Sequence, residues 1–239
     1  MAERGRKPRV RDVVRSPMVS APIIPTPPET SASLREAAYD AIKHRIITCV
    51  FKPGDYLNEA YVSAAIGIGR TPVHQAIDRL TQDGLLEVIP RKGIIVRPVS
   101  LAEAMQITEI RLLNEPYCAR LAAERADNVD LATLRDLLNR ADAWTAVRNI
   151  EQMMLLDREF HIAIAKAARN TVLASILQNL HERSLRFWFI SLTAPEHHRE
   201  VQNEHRAIFT AIEQRDADAA AKAMADHIES FRRTISRYL

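Results

Sequence analysis

Between Leu34 and Arg97 the hydrophobic period of the chain changes from helical to alternating, and that order leaves few folds open. Leu34, Ala38, Ala41, Ile42, Arg45 and Ile46 recur at helical spacing, with Ser33 placed to cap the first turn. Phe51-Lys52-Pro53-Gly54 breaks the pattern, and a short helix is expected from Glu59 to Ile66, stopped by Gly67-Ile68-Gly69. Thr71 is then expected to cap a third helix, with Pro72 at its first position and Val73, Ile77 and Leu80 along one face, closed by Gly84. Two short β-branched runs follow, residues 85–89 and 94–97, joined by Pro90-Arg91-Lys92-Gly93, which reads as a hairpin. Helix, helix, turn, helix and hairpin together spell a winged helix-turn-helix.

After Pro98 the pattern is helical almost to the end, with helices expected near 101–125, 130–147, 150–168, 171–190, 197–214 and 216–237. Only 6 glycines and 5% aromatic residues in 239 also weigh against sandwiches and barrels. The expected architecture is therefore mainly α: a winged helix-turn-helix over 33–98 and an all-α bundle over 99–239. Residues 1–32 carry Pro17, Pro22, Pro25, Pro27 and Pro28 and read as an extended, disordered arm. No apolar run approaches the ~20 residues of a bilayer span. Cys49 and Cys118 give neither a disulfide framework nor a CxxC pair. No apolar segment follows the basic start, so a cytoplasmic protein is expected.

Charge is unevenly placed. Residues 1–15 hold six basic groups against Glu3 and Asp12, residues 31–98 nine basic against seven acidic, and residues 99–239 eighteen against twenty. The positive excess lies at the front, which suggests a polyanion there and another task behind it. A winged helix lays its third helix in the major groove of double-stranded DNA. Arg70 precedes that helix and its planar fork suits phosphate or guanine; the Thr71 hydroxyl and the helix N-terminus suit phosphate. His74 and Gln75 lie opposite the apolar face, where Gln75 can pair with adenine and His74 can donate to an acceptor. Arg91, Lys92 and Gly93 form the basic wing tip. Taken singly, each of these residues also fits a protein-binding module or a surface ion pair.

In the helical half the histidines are the informative residues. Asp157 and His161 are four apart and share a helix face. His205 borders the stripe of Val201, Ile208 and Ile212, and His227 that of Met224, Ile228 and Phe231. Three imidazoles and one carboxylate from three helices can converge on a divalent ion, and this donor set suits Zn, Ni, Mn or Fe. The plainer alternative is ordinary helical histidines, of which His181, His197 and His198 are further examples outside the expected ligand set. Glu204 adjoins His205 and is expected to point to another face.

The residues also carry a resemblance. Leu34-Arg35-Glu36, Pro53-Gly54-Asp55-Tyr56-Leu57-Asn58-Glu59, Arg70-Thr71-Pro72-Val73 and Asp83-Gly84-Leu85-Leu86 resemble the N-terminal domain of GntR-family bacterial transcription regulators. That resemblance implies DNA contacts from Arg35 and Arg70. His74-Gln75 stand where the family usually has Arg-Glu, which implies a different operator preference. Residues 101–239 look like the FCD effector domain of the FadR-type subfamily, a six- or seven-helix bundle. D-x-x-F-H at 157–161, E-H-x-x-I at 204–208 and M-x-x-H-I at 224–228 match its metal pattern, which implies Asp157, His161, His205 and His227 as ligands. It further implies that Arg111 helps hold a carboxylate effector; a surface ion pair with Glu115, four residues on, is the other reading.

The expected function is a ligand-responsive transcription regulator of repressor type, a homodimer on a palindromic operator, with a divalent metal and a small carboxylate effector and no membrane role. The alternative is a metal-dependent hydrolase using the same helical site, although no HExxH-like motif supplies a general base.

Overall fold

A computed structural model describes residues 31–98, 100–191 and 195–238. The basic and proline-rich segment expected as an arm lies outside the described residues up to position 30.

The front module contains α1 (Ser31–Ile47), β1 (Tyr56–Leu57), α2 (Glu59–Ile66), α3 (Arg70–Gln82), β2 (Leu86–Ile89) and β3 (Gly93–Val96). Helix α1 begins two residues before the expected Ser33 cap, so Ser33 belongs to its first turn. Asn58 caps α2 by accepting from the Tyr61 amide, and Gly67 ends it in the left-handed region at φ 71°. The expected cap of α3 is corrected as well. Gly69 is the N-cap with no side-chain bond, and Arg70, Thr71 and Pro72 fill the first turn, where proline's missing N–H costs nothing. Ala38, Ile42, Ile46, Val62, Val73, Ile77, Leu80, Ile94 and Val96 form the module's core.

The hairpin is longer by one strand than expected. β1 pairs antiparallel with β3 through Tyr56↔Ile95 and Leu57↔Ile94, giving the order β1-β3-β2. β2 and β3 pair from Leu86↔Val96 to Ile89↔Gly93, so the Pro90-Arg91-Lys92 turn forms the wing tip. Gly93 has φ +105°, and a Cβ there would lie 2.8 Å from the Leu57 carbonyl oxygen. Its identity answers to this backbone approach.

Behind the module stand α4 (Leu101–Arg125), α5 (Asn128–Ala146), α6 (Ile150–Ala167), α7 (Thr171–Ser191), α8 (Pro195–Glu213) and α9 (Ala217–Tyr238). Ser100, Asp127 and Asn149 cap α4, α5 and α6 through their side chains, Asp127 in a capping box with Asp130. Cys118, Ala122, Phe160, Ile164, Ile208, Ile212, Met224 and Ile228 sit in one core, where small alanine and cysteine side chains let the helices approach.

Helix α7 joins the two halves. Asn179 donates to the Asp83 carbonyl at 3.3 Å, Glu182 accepts from Lys43 at 3.1 Å, and Arg186 donates to the Arg97 carbonyl at 2.8 Å. Positions 179, 182 and 186 share one helix face, while Leu177 and His181 point into the bundle. Ile47 of α1 packs with Met154 and Leu185 in a small apolar cluster across the same junction. Among the described residues no helix is long and apolar enough to cross a membrane.

Candidate metal centre and DNA-reading face

Asp157 and His161 come from α6, His205 from α8 and His227 from α9, and their ligand atoms all lie within 4.8 Å of one another. All four side chains are buried. Helical spacing puts Asp157 above His161, and antiparallel packing of α8 and α9 brings the other two rings onto the same point. Asp157 Oδ1 stands 3.3 Å from His205 Nε2. Asp157 Oδ1, His161 Nε2 and His205 Nε2 have no hydrogen-bond partner among the described residues. Buried polar atoms left so cost about 1–3 kcal/mol each, and a divalent cation satisfies a carboxylate and several imidazoles at once. The residues present therefore fit a metal.

The outer partners are arranged for the same purpose. Glu115 Oε2 lies 2.9 Å from His161 Nδ1, and Arg111 Nε donates to Glu115 Oε1 at 2.5 Å. Glu204 Oε2 lies 2.8 Å from His227 Nδ1. Each carboxylate engages one ring nitrogen and leaves Nε2 for the centre, the usual way a ligating histidine is oriented.

Protonation states agree with cation binding. Burial works against the Asp157 carboxylate, but the close approach of the His181 and His205 ring nitrogens, with His161 beside them, outweighs it and holds Asp157 well below the usual carboxylate range. Burial likewise opposes Glu115, and Arg111 with His161 hold it well below that range. Burial pushes His227 and His181 down to about 4, so both rings are neutral near pH 7. A charged carboxylate and neutral imidazoles are what a divalent ion requires.

Three residues differ from the sequence expectation. Arg111 does pair with Glu115, but at 2% exposure the pair is buried inside the bundle and not on the surface. Glu204 turns toward α9, not away from the cluster: its carboxylate closes on His227 Nδ1 at 2.8 Å. His181 was expected outside the ligand set; its Nε2 lies 3.2 Å from Asp157 Oδ2 and its ring stacks on His161 at 4.4 Å. No spacing signal links α7 to α6, so only packing reveals it. The side chain of His197 lies outside the described residues, and His198 is buried.

On the front module, Arg70, Thr71, His74 and Gln75 are exposed on the outer side of α3 while Val73, Ala76, Ile77 and Leu80 are buried on its inner side. Arg35 of α1, and Arg91 and Lys92 at the wing tip, are exposed too. Arg79 is committed to Glu36 at 2.9 Å and stacks on Tyr39 at 3.7 Å. His74 is also engaged: Nδ1 lies 2.7 Å from Glu59 and Nε2 3.6 Å from Asp78. The hydrogen bond to Glu59, followed by the charge of Asp78, raises its pKa. At the start of α3, Arg70, Thr71 and Gln75 are thus exposed donors, while His74 is bound to acids of its own module.

Comparison with known proteins agrees with both halves. Residues 34–96 match the model of bacterial regulatory proteins of the gntR family, and residues 106–230 match the FCD domain. The Nta operon transcriptional regulator of Aminobacter aminovorans is 29% identical over 75% of this chain and 83% of its own length. The HTH-type transcriptional repressor RspR of Escherichia coli K12 is 25% identical over 84% of this chain and 89% of its own. Among solved structures, Escherichia coli McbR/YncC shares the fold with a TM-score of 0.79 at 23% identity, covering 86% of this chain and 98% of that one. The matched families and relatives are transcription regulators rather than hydrolases, and the chain belongs to the GntR family as a DNA-binding transcription regulator with an FCD domain.

Proposed function

We propose that this protein is a cytoplasmic, metal-loaded, ligand-responsive repressor that binds a palindromic operator as a homodimer. The observation carrying the proposal is the buried convergence of Asp157, His161, His205 and His227 on one point. Those four residues would hold a divalent cation, with Zn, Ni, Mn and Fe all compatible with the donor set. When bound, the cation supplies positive charge and vacant positions for an oxygen donor. A small carboxylate is the complementary effector, and Arg111 can assist because the Glu115 contact uses Nε and a guanidinium has five N–H donors.

Arg70, Thr71 and Gln75 would read or grip the major groove, with Arg35, Arg91, Lys92 and the backbone at Gly93 on the flanks. One winged helix covers few base pairs, so two linked copies gain affinity. Ile110, Leu113 and Tyr117 of α4 are 44%, 74% and 52% exposed at i, i+3 and i+7 spacing, an apolar stripe suited to a second copy. Repression is proposed because RspR is a repressor by name. An effector regulates only by binding one arrangement of the readers better than the other, and α7, which touches both halves, is the element to carry that preference.

A thermal-shift screen of small carboxylates with the metal-loaded protein, repeated with chelator, tests the proposal. At least one acid should raise the melting temperature only when metal is present and shift operator binding in a gel-shift. No acid doing so would reject the effector role; a monomer in sedimentation, unchanged by Leu113→Glu, would reject the dimer.

A further inference from the structure

On the face of α7 that meets the DNA reader lies a second group of buried polar atoms without partners. Arg186 is fully buried, at 0% exposure. Its Nη1 donates to the Arg97 carbonyl at 2.8 Å, while Nε and Nη2 have no hydrogen-bond partner among the described residues. Those two nitrogens form the side-on edge of the guanidinium, whose parallel N–H groups match two oxygens of one anion. One turn earlier, Arg183 gives Nη2 to Glu103 at 2.5 Å and leaves Nε equally unpartnered. A Cβ placed on Gly84 would stand 3.7 Å from Arg183 Nε and 3.8 Å from Arg97 Nη1, so the reader's Arg97 is a neighbour of this pair. Charge is out of balance here too. Burial opposes the Arg186 cation, Glu103 favours it, and Arg183 and Arg97 oppose it again. The nearby acids are engaged elsewhere: Glu182 with Lys43 and Arg158, and Asp83 with the Tyr39 hydroxyl. An arginine does not escape burial by losing its proton, so three cations around one carboxylate call for a further anion.

We propose that Arg97, Arg183 and Arg186 form a site for a small tetrahedral oxyanion, inorganic phosphate in type, held between the DNA reader and the helical bundle. Two of its oxygens accept from Arg186 Nε and Nη2 and a third from Arg183 Nε, while Arg97 adds positive charge from the reader's side. The donor atoms are shut from solvent, which favours a compact ion, and the cluster borders solvent at Arg183, a quarter exposed. Because Arg97 follows β3 and the other two arginines stand on α7, the bound anion ties the reader to the bundle. The site uses no residue of the metal cluster, so it depends on neither the cation nor the carboxylate effector.

The test is calorimetric titration of the full chain with inorganic phosphate and with glycerol phosphate, with and without chelator, against sodium chloride at matched ionic strength. Phosphate should bind where chloride gives no heat, with the same constant after chelation. Glycerol phosphate should bind more weakly, since the closed junction has no space for its glycerol. Arg186→Lys keeps the charge but loses the fork, and should weaken phosphate about tenfold or more, the worth of one charge-assisted hydrogen bond. Arg97→Gln changes a half-buried side chain whose carbonyl contact to Arg186 is kept, and should weaken phosphate several-fold. Absence of phosphate binding, loss of binding on chelation, equal or tighter binding of glycerol phosphate, or an unchanged constant in Arg97→Gln or in an Arg186→Lys protein with wild-type circular dichroism would each overturn the proposal. Because the phosphate arm is run on chelated protein, its result is separate from that of the carboxylate screen.

Discussion

Lys43 of α1 and Glu182 of α7 meet at 3.1 Å with side chains only 7% and 5% exposed, and Arg158 of α6 closes on the same carboxylate oxygen. Their neighbours in sequence, His181 and Asp157, lie 3.2 Å apart in the metal cluster. Two successive rungs between α6 and α7 thus serve the buried centre and the junction with the DNA reader. Glu182→Ala leaves two cations without their acid and should cost about 3–5 kcal/mol, read as a lower denaturant midpoint. A double-mutant cycle with Lys43→Met should give a coupling energy of about 1 kcal/mol or more; zero coupling would show that the pair carries nothing between the halves.

Loss of the cation should be visible in stability. Chelator is expected to lower the melting temperature of the wild type, while His205→Ala, lacking a ligand, should be insensitive to it. Glu115→Gln keeps all four ligands but weakens the orientation of His161, and metal affinity should fall about 10- to 100-fold, measured by competition with a chromophoric chelator.

The pH dependence of the metal-free protein follows from the depressed imidazoles. His181 and His227 take up protons only near 4 in the folded chain, against 6.5 for the free side chain. Between those values the unfolded chain binds more protons, so stability is full above pH ~6.5 and falls as pH drops toward 4. Each ring accounts for on the order of 3 kcal/mol across that window. Asp157 and Glu115, held below the ordinary carboxylate range, extend the loss below pH ~4. Denaturant midpoints from pH 8 to 4.5 check the slope, and a flat profile contradicts it.

On the reader, Arg70→Ala should weaken operator binding by about 1–3 kcal/mol, and a phosphate contact would also lower the salt slope by about 1. His74→Ala should change affinity much less, since His74 already serves Glu59 and Asp78. Fluorescence anisotropy at several salt concentrations separates the two.

Gly93→Ala should displace the wing. The added Cβ meets the Leu57 carbonyl oxygen at 2.8 Å on a backbone at φ +105°, so both strain and the β1–β3 pairing are affected. A loss of about 1–3 kcal/mol is expected in thermal or denaturant unfolding. Operator affinity should fall as well, because Arg91 and Lys92 sit on the turn that Gly93 ends.

Much of this molecule could be read from periodicity. The apolar spacing of Val73, Ile77 and Leu80 places Arg70, His74 and Gln75 outside, and the four-residue step from Asp157 to His161 puts both on one face, because an α-helix repeats every 3.6 residues. β1 escaped because two residues, Tyr56 and Leu57, are too few to show alternation. The start of α3 at Arg70 escaped because Gly69 and Thr71 are both acceptable caps by residue type.

The sequence by itself determined which faces are apolar, where the helices stop and which donors a metal could use, since these depend on contacts a few residues apart. Only the tertiary structure decided that His181 joins the cluster, that Glu115 and Glu204 orient its rings, and that Lys43 reaches Glu182 across 139 positions. Those relations depend on how α7 and α8 rotate against their neighbours. That rotation is set by the summed packing of the whole core, which no local spacing encodes.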